Sequence, residues 1–509
     1  MKAREILERL EYKVVKGDLD KEVLGFSIDS RSVEKGDCFV CIRGVYFDAH
    51  SVIDQIAEKE PSVIVVENSW AEDHDLSGIS ADVVAVADTR RAKALIAGAY
   101  YGHPSEELTV IGVTGSKGKT TTTHMLYQML GKAGKKAGLI GSNGIFYGGQ
   151  SVEVANTTPD SEVIQKYFRK MADAGCEYVI LEVSSQAVLL HRVEGIRFRL
   201  GVFMNIETGD HIGPNEHSSF AEYLDCKKQL LRQSSEAVVN FDDSHLDQIL
   251  AGLDVPVTGF GHLPQDDDGT ARIPDYQLSG EKVEYRGGWP GISFEIKGKL
   301  EGSFYVDTPG LFSASNAAAA IACADLLGIP LKAQQEALAS IHVPGRLDMV
   351  YRSEELSVCV DFAHNGFSMR SLLTALREYK PGRIIAVFGF DGHRDPDRGV
   401  EMGEAAGKYA DFTIVTTGHN RFESFQDVAE KVIRGLESVH GKYTVIEDRK
   451  EAIRTAIMGS EPGDLIAVAG FGHEHYQQIN GVNIPYNDGE YCRQVVKEWK
   501  DKMKDENRS

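Results

Sequence analysis

The sequence predicts an α/β protein built from three domains. Its 509 residues suffice for two to four domains, each with a buried core. Short apolar runs alternate with longer helical patterns, and such alternation is typical of parallel sheets covered by helices on both faces. We expect a smaller first domain at residues 1–105, a central domain at 106–342 and a C-terminal domain at 343–509.

The individual strands are predicted from short, β-branched apolar runs bounded by turn residues. In the central domain these runs are Val110–Val113, Tyr178–Leu181 and Gly201–Met204, and in the C-terminal domain Leu356–Val360, Arg383–Phe388, Phe412–Val415 and Leu465–Ala469. The junctions between domains are placed at the turn-rich segments Gly102-His103-Pro104-Ser105 and Val343-Pro344-Gly345-Arg346.

Composition excludes several classes of protein. A formal net charge of −21 argues against binding of nucleic acid along a broad surface, although a small phosphate can still be bound by local amides. The seven cysteines are scattered and favour reduced thiols in a cytoplasmic protein. The N-terminus lacks a signal-peptide core, and the most apolar stretch, Asn316–Ile329, is too short to insert into a membrane.

A glycine-rich loop joins the strand Val110–Val113 to a helical pattern at Thr122–Leu130. The loop matches Gly-x-x-Gly-Lys-Thr, a shortened form of the phosphate-binding loop in which Val113 replaces the first glycine. Its glycines allow backbone N–H groups to face phosphates, its lysine can reach the β- and γ-phosphates, and its threonine can ligate Mg²⁺. The pattern predicts nucleotide binding by residues Gly115, Gly118, Lys119, Thr120 and Thr121.

A carboxylate and an imidazole follow the next two strands of the central domain. Glu182 comes directly after the strand Tyr178–Leu181, and His211 lies in the loop beyond the strand that follows. Ligands of open α/β sheets gather at the carboxyl ends of strands, so the pair could hold a divalent cation against ATP. Each residue taken alone is more often a solvated or hydrogen-bonded surface group.

The order of these and further motifs resembles that of the Mur ligase family along nearly the whole chain. The motifs that carry the resemblance, besides the phosphate loop, are Asp29-Ser30-Arg31 with Lys35-Gly36-Asp37, Asn156-Thr157-Thr158-Pro159, Glu182-Val183-Ser184-Ser185 with His191-Arg192, Asp210-His211 with Tyr223 and Lys227, Asn316, Val343-Pro344-Gly345-Arg346, Val360-Asp361-Phe362-Ala363-His364 and Gly472-His473-Glu474.

The resemblance implies the three-domain Mur ligase architecture. The first domain would bind the UDP-linked substrate, the central parallel-sheet domain would bind ATP through its phosphate loop, and the C-terminal Rossmann-like domain would bind the incoming amino acid. It implies a ligase that extends UDP-N-acetylmuramoyl-L-alanyl-D-glutamate in peptidoglycan precursor synthesis. ATP would phosphorylate the terminal carboxylate, and the amine of a free amino acid would then displace the phosphate.

The resemblance also implies roles for particular residues. Lys119 would neutralise the phosphates, and a Mg²⁺ on Thr120 would assist it. Glu182, His211 and Lys227, the last as a carbamate, would hold a second Mg²⁺. The implied contacts to adenine, ribose and phosphate are Asn316, Arg346, Asp361 and His364. The implied contacts to the UDP-linked substrate are Ser30, Arg31, Asn156, Thr157, Thr158, Ser184 and Arg192, and those to the amino acid are Arg421, Gly472 and Glu474.

Departures from the family pattern bear on which amino acid is added. Gln186, Lys117 and Asn365 resemble the branch that adds L-lysine. Gly418-His419-Asn420-Arg421 stands where enzymes that add meso-diaminopimelate carry Asp-Asn-Pro-Arg, and Phe471 replaces an expected lysine. We expect a diamino acid, with L-lysine favoured and meso-diaminopimelate as the alternative.

Two rival interpretations stay open at this point. One is a ligase of the folylpolyglutamate synthase type, which would lack the uridine-binding first domain. The other is a nucleotide-binding paralogue without ligase activity, supported only by the altered motif at Gly418 to Arg421. The protein is expected to act as a monomer.

Overall fold

The computed structural model describes residues 1–44, 47–208, 212–213, 216–264, 272–394 and 396–506. The chain divides into two compact units. One comprises Met1–Asp275 and Ala319–Ala333, and the other comprises Tyr276–Ala318 and Gln334–Ser509. This division follows packing and does not test the three predicted domain ranges, which remain a prediction.

The first sheet of the first unit lies near the N-terminus. Its strands are β1 (Lys13–Lys16), β2 (Gly25–Ser27), β3 (Asp37–Val40), β4 (Val63–Glu67) and β5 (Asp82–Val86), and its helices are α1 (Ala3–Ile6), α2 (Ile53–Ala57), α3 (Asn68–Ala71) and α4 (Thr89–Tyr100). The strand order is β1-β5-β4-β3-β2, with β1 antiparallel to the rest. Separate apolar clusters formed by alternate residues of β3 to β5 line both faces, as expected of a parallel sheet.

The second sheet of this unit is built around the predicted phosphate loop. Its elements are β6 (Thr109–Thr114), α5 (Lys119–Lys132), β7 (Ala137–Gly141), β8 (Gly144–Tyr147), β9 (Gln150–Val152), α6 (Ser161–Asp173), β10 (Tyr178–Glu182), α7 (Ser185–Leu189), β11 (Leu200–Phe203), α8 (Phe220–Arg232), β12 (Ala237–Asn240), α9 (Leu246–Leu250) and β13 (Val257–His262). Within the unit the order is β13-β12-β11-β6-β10-β7-β8-β9. All strands from β13 to β7 run parallel, so their carboxyl ends share one edge.

The second unit begins with an antiparallel meander of β14 (Tyr276–Arg286), β15 (Trp289–Gly298) and β16 (Gly302–Val306). Helices α10 (Phe312–Leu326) and α11 (Leu331–Leu338) then cross the division between the units. The apolar stretch Asn316–Ile329 thus falls largely on α10. No helix among the described residues is long and apolar enough to cross a membrane.

The remaining elements of the second unit form a doubly wound sheet and a hairpin. They are β17 (Asp348–Arg352), β18 (Leu356–Asp361), α12 (Gly366–Arg377), β19 (Ile384–Phe388), α13 (Pro396–Tyr409), β20 (Phe412–Val415), α14 (Phe425–Ser438), β21 (Tyr443–Val445), α15 (Arg449–Met458), β22 (Asp464–Ala469), β23 (Tyr476–Ile479), β24 (Val482–Pro485) and α16 (Asp488–Glu506). The sheet order is β17-β18-β22-β19-β20-β21, parallel except for β17. All seven strands predicted from the sequence are confirmed, within about one residue at each end.

A buried ion pair fixes the end of this sheet. The guanidinium of Arg449 donates from Nε and Nη2 to the two carboxylate oxygens of Asp488, at 2.9 and 2.6 Å. Nη2 also donates to the carbonyl oxygen of Ala469, the last residue of β22. Because both charges are fully buried, the bidentate geometry and the additional acceptor are needed to offset their desolvation. The contact therefore ties α15 and α16 to the carboxyl end of β22.

Candidate functional site

Two glycines shape the loop between β6 and α5. Gly118 precedes α5 with a φ of 84°, in the left-handed region that favours glycine. Gly115 has a φ of 156°, and a Cβ there would lie 2.7 Å from the Cβ of Met204. The backbone can therefore wrap closely around the N-terminus of a 14-residue helix, where exposed N–H groups and the helix dipole favour an anion.

The end of β11 holds this loop from the side. The Asn205 side chain accepts the N–H of Lys117 at 2.8 Å and donates to the carbonyl oxygen of the same residue at 3.2 Å. The N–H of Ser116 donates to the carbonyl oxygen of Asn205. Sequence analysis assigned no role to Asn205, although its position just beyond a buried strand is a signal that could have found it.

Lys119 folds back over the loop. Its Nζ donates to the carbonyl oxygens of Gly115 at 2.7 Å and Ser116 at 3.3 Å. The ammonium thus lies beside the N–H groups that the phosphate interpretation requires. Thr121 follows in the first turn of α5 and is half-buried.

Glu182, at the end of β10, is the buried centre of the site. Its Oε2 accepts the hydroxyl of Thr120 at 3.0 Å and the hydroxyl of Ser142 at 3.2 Å, and its Oε1 accepts the N–H of Ser142 at 2.9 Å. Only 1% of the residue is exposed, so these bonds offset the cost of burying the carboxylate. A Cβ at Gly141 would lie 2.1 Å from Oε1, which explains why β7 ends in glycine.

A second set of bonds continues from Glu182 into the segment that contains Thr157 and Thr158. The hydroxyl of Thr158 donates to the carbonyl oxygen of Glu182 at 2.8 Å and accepts the N–H of Ser184 at 3.0 Å. The hydroxyls of Ser142 and Thr157 are 3.0 Å apart, and Arg192 Nη1 donates to the carbonyl oxygen of Thr158 at 2.8 Å. Hydrogen bonds through Ser142, Thr158 and Glu182 therefore connect four substrate contacts implied by the resemblance, which are Thr157, Thr158, Ser184 and Arg192. Asn156 is exposed at the start of its segment.

A polar contact links this region to α4. The ammonium of Lys93, which is almost fully buried, lies 2.9 Å from Asp160 Oδ1 and 3.3 Å from Glu162 Oε2. Arg192 Nε lies 3.5 Å from the same Asp160 oxygen. Burial raises the pKa of the Asp160 carboxyl, but Lys93 and Arg192 outweigh it, and the pKa lies below its ordinary value. Asp160 therefore stays ionised and holds both cations.

Lys227 is buried near the phosphate loop. Its Nζ lies 4.7 Å from the ring centre of Tyr223, whose hydroxyl is 2.8 Å from Ser116 Oγ. Only 2% of Lys227 is exposed. His211, the third predicted metal ligand, lies outside the described residues. Among the residues described, no group of three His, Cys, Asp or Glu side chains is arranged to hold a metal ion, but Thr120 and Glu182 offer the oxygen donors that Mg²⁺ prefers.

Two of the predicted nucleotide contacts of the second unit, Arg346 and His364, lie against Phe362. The Arg346 guanidinium lies 4.5 Å from the centre of that ring, and the ring of His364 is 4.9 Å from it. A Cβ at Gly472 would lie 2.8 Å from Phe362 Cβ. The carboxylate of Asp361 accepts the backbone N–H groups of Leu347 and Ala363. Burial raises the pKa of this carboxyl group. Asn316 is buried on α10.

The predicted amino-acid contacts Arg421 and Glu474 follow β20 and β22, and the carboxyl ends of these strands share one edge of the sheet with that of β19. His419 Nε2 and Glu474 Oε2 are 2.8 Å apart, and Arg421 Nη2 lies 3.8 Å from Asp391 Oδ2. Sequence reasoning missed His419 and Asp391 as members of this cluster. Both follow predicted strands within four residues, so the strand-end rule could have found them.

Ser30 and Arg31 lie at the surface of the first sheet. Arg31 is exposed and forms a two-pronged contact with Asp29, with Nε–Oδ1 at 2.9 Å and Nη2–Oδ2 at 2.8 Å. This hydrogen bonding lowers the pKa of Asp29 to about 2. The carbonyl oxygen of Ser30 accepts Lys59 Nζ. The role of Ser30 and Arg31 at a uridine remains a prediction.

Comparison with known proteins gives consistent matches. The family model described as Mur ligase middle domain matches residues 113–324, and the one described as Mur ligase, glutamate ligase domain matches residues 345–472. A protein of Caldanaerobacter subterraneus subsp. tengcongensis named UDP-N-acetylmuramoyl-L-alanyl-D-glutamate--2,6-diaminopimelate ligase is 35% identical over 501 residues, which are 98% of this chain and 99% of that protein.

Two solved structures share the fold. One, also described as a UDP-N-acetylmuramoyl-L-alanyl-D-glutamate--2,6-diaminopimelate ligase, has a TM-score of 0.66 at 24% identity and covers 98% of this chain and 99% of its own. A folylpolyglutamate synthase of Mycobacterium tuberculosis has a TM-score of 0.58 at 17% identity, and the match covers 75% of this chain and 92% of that one. At these identities the likeness concerns the fold alone.

Gly141→Ala tests whether the buried Glu182 carboxylate supports nucleotide binding. The added Cβ would displace Oε1 and weaken the bonds of Glu182 to Thr120 and Ser142. We expect the affinity for Mg–ATP to fall about tenfold, equivalent to about 1.4 kcal/mol, measured as a reduced rise of the melting temperature on adding Mg–ATP. Gly131→Ala on α5, where a Cβ would meet nothing within 4 Å, is the matched control. An undiminished rise in Gly141→Ala would refute the link.

Proposed function

Because the chain belongs to the Mur ligase family, we propose that it joins a diamino acid to UDP-N-acetylmuramoyl-L-alanyl-D-glutamate, with conversion of ATP to ADP and phosphate. The chain is an ATP-dependent acid–amino-acid ligase, and its full-length relatives carry the name of this activity. Their match includes the region of the first sheet, which a folylpolyglutamate synthase would lack. We further propose that the enzyme works as a cytoplasmic monomer, where ATP is available.

One observation carries the proposal. A continuous path of hydrogen bonds runs from Thr120 in the phosphate loop through Glu182 and Ser142 to Thr157. Phosphoryl transfer from ATP to a carboxylate requires the two reactants to be held within bonding reach in a fixed orientation. A shared buried carboxylate between the nucleotide loop and the segment proposed to bind the muramoyl dipeptide supports that requirement.

The first step brings two anions together. Lys119, which lies over the loop, and the N-terminus of α5 would offset the charge of the β- and γ-phosphates. Mg²⁺, when bound, would neutralise the transferring phosphoryl group. Thr120 is proposed to hold one ion, and Glu182, His211 and the carbamate of Lys227 a second. Arg192, whose Nη1 donates to the carbonyl oxygen of Thr158, is proposed to offset the carboxylate of the substrate dipeptide. The product of this step is an acyl phosphate and ADP.

The second step forms the peptide bond. The amine of the incoming amino acid attacks the acyl carbon, the C–O bond to phosphate breaks, and the amine loses a proton. We propose that Arg421 binds the α-carboxylate, since its guanidinium can donate two parallel hydrogen bonds to it, and that Glu474 accepts a side-chain ammonium. From the family resemblance we also propose contacts to the nucleotide and to the uridine. The nucleotide contacts are Asn316, Arg346, Asp361 and His364, and the uridine contacts are Ser30 and Arg31.

Lys227 is proposed to be carbamoylated. Its ammonium would first lose one proton, and the neutral amine would then add to CO₂ and lose a second proton. The cation is thereby converted into a carbamate anion with two oxygen donors. A buried ammonium beside a Mg²⁺ site would repel the metal, whereas a carbamate supplies ligands that Mg²⁺ prefers. Burial of Lys227 and its packing on Tyr223, which bonds to the phosphate loop, support this assignment.

The identity of the amino acid is narrowed to a diamino acid. The relatives are named for 2,6-diaminopimelate, while the variants Gln186, Lys117 and Asn365 favoured L-lysine. Both substrates carry a distal ammonium. Comparing kcat/KM for L-lysine, L-ornithine, meso-diaminopimelate and L-alanine identifies the preferred one.

Mass spectrometry tests the function directly. The protein is incubated with ATP, Mg²⁺, the UDP-linked dipeptide and a pool of amino acids, and we expect a product heavier by one diamino acid residue. ADP and phosphate should form in equal amounts with it. Steady ATP hydrolysis that does not respond to any amino acid would instead favour a paralogue without ligase activity.

Lys119→Ala is expected to abolish ligation while the fold is retained. Loss of one charge aimed at the transferring phosphoryl group should lower kcat by about 100-fold or more. Coupled ADP release measures the rate, and circular dichroism checks the fold. Lys132→Ala, at the exposed far end of the same helix, should ligate normally. Near-normal ligation by folded Lys119→Ala would remove Lys119 from the site.

Lys227→Ala is expected to be inactive and to regain part of its activity in the presence of a small carboxylate such as acetate, which can replace the carbamate oxygens. Protein equilibrated with ¹³C-labelled bicarbonate should show one carbamate carbon by NMR, absent from Lys227→Ala. The adjacent Lys228, whose Nζ donates to the carbonyl oxygens of Gln248 and Ala251, provides the control variant Lys228→Ala. A carbamate signal that persists in Lys227→Ala would contradict the assignment.

A further inference from the structure

The cluster at the carboxyl ends of β19, β20 and β22 contains a histidine, His419, that the proposed reaction does not use. His419 follows β20, Asp391 follows β19 and Glu474 follows β22, and these three strands are neighbours in the order β22-β19-β20. Their carboxyl ends lie at one edge of a parallel sheet, so the three side chains converge although they are far apart in sequence. His419 is 6% exposed.

The hydrogen bonds of His419 fix which ring nitrogen carries the proton. The backbone N–H of Gln478 points at Nδ1, at 2.9 Å, so Nδ1 must act as the acceptor. The proton of the neutral ring is therefore on Nε2, which lies 2.8 Å from Glu474 Oε2 and donates to it. His419 thus presents a donor to the carboxylate.

Packing prevents the ring from turning away. The imidazole stacks on Phe471 with the ring centres 4.3 Å apart at 26°, and its centre lies 5.2 Å from that of Tyr476. Phe471 also packs on the guanidinium of Arg449, at 4.1 Å, which the buried Asp488 holds in place. Phe471, which replaces an expected lysine, is therefore part of the support of His419.

Glu474 keeps one oxygen for another partner. Its backbone is fixed, since its N–H donates to the carbonyl oxygen of Phe471 and its own carbonyl oxygen accepts Asn487 Nδ2. His419 occupies Oε2, and within the described part of the chain no hydrogen bond reaches Oε1. The side chain is 20% exposed, so a ligand can approach that oxygen.

The cluster contains a cationic side chain, Arg421, and two carboxylates, Asp391 and Glu474. Arg421 Nη2 lies 3.8 Å from Asp391 Oδ2, and the backbone N–H of His419 points at the other oxygen of Asp391 at 3.4 Å. Burial raises the pKa of the Tyr476 hydroxyl, and the negative charges of Glu474 and Asp391 raise it further. Both carboxylates are therefore close enough to Tyr476 to act on it. Arg421 therefore offers a positive charge to a ligand, and Glu474 offers a negative charge.

The backbone at Gly418 leaves no room for a side chain. A Cβ there would lie 2.5 Å from the carbonyl oxygen of Phe390. The aspartate that meso-diaminopimelate enzymes carry at this place would not fit this backbone. Recognition of the distal group therefore falls to Glu474 and to the residue that orients it.

We propose that His419 is a specificity-determining positioning residue, whose Nε2–H orients the Glu474 carboxylate so that Oε1 accepts the side-chain ammonium of the incoming amino acid. This inference rests on the proposed function. It predicts selection of amino acids with a distal ammonium over those with an uncharged end, because a fixed carboxylate without its ammonium partner would be left unpaired.

The test compares His419→Leu, which lacks the donor, with His419→Gln, whose side-chain amide can still donate to Glu474. For each, kcat/KM is measured with L-lysine, meso-diaminopimelate and L-norleucine, whose side chain is apolar. We expect His419→Leu to lower the preference for the diamino acid over L-norleucine about 10- to 100-fold, through KM. The KM values for ATP and the UDP-linked dipeptide should not change, and His419→Gln should recover most of the preference.

Controls separate this role from a purely structural one. His440→Asn alters an exposed histidine between α14 and β21 and should leave the preference for the diamino acid unchanged. If His419→Leu does not fold, Glu474→Gln, which keeps shape but removes charge, should show the same loss of preference. Unchanged preference in His419→Leu or in Glu474→Gln, or equal loss in His419→Leu and His419→Gln, would overturn the inference. Absence of ligation by the unaltered enzyme would instead overturn the proposed function.

Discussion

The buried carboxylate of Glu182 is the constraint on which the region around the phosphate loop depends. A carboxylate with 1% exposure must have its oxygens satisfied by fixed donors. Thr120 provides one from the phosphate loop, and Ser142 provides two from the end of β7. The close approach of Glu182 Oε1 leaves no room for a Cβ at Gly141, and the bonds to the carboxylate bring three separate strand ends into one site.

The same principle organises the second unit with different residues. There the buried group is the guanidinium of Arg449, which requires hydrogen-bond acceptors. Asp488 and the carbonyl oxygen at the end of β22 provide them. The resulting rigid corner supports Phe471, and Phe471 supports His419. The cluster of Asp391, His419 and Glu474 at the edge of the sheet is thus supported by a buried ion pair.

The departures from the family pattern acquire a physical meaning in this setting. Gly418 and Phe471 look like losses of an aspartate and a lysine when the sequence is read alone. In the structure the backbone at Gly418 excludes a side chain, and Phe471 forms a stacking surface for an imidazole. The altered motif is therefore compatible with the proposed amino-acid pocket, in which Arg421 and Glu474 are retained.

The sequence by itself determined the local features of this protein. Buried parallel strands are continuous apolar runs, and a phosphate loop is a contiguous pattern, so β6, β10, β18 and β22 and the turn into α5 could be predicted from neighbouring residues alone. Motif order then implied the family. Only the tertiary structure decided which side chains meet, because Glu182 with Ser142 and His419 with Glu474 lie 40 and 55 residues apart in the chain. Such contacts depend on strand order and on the packing of whole elements, which no local pattern encodes.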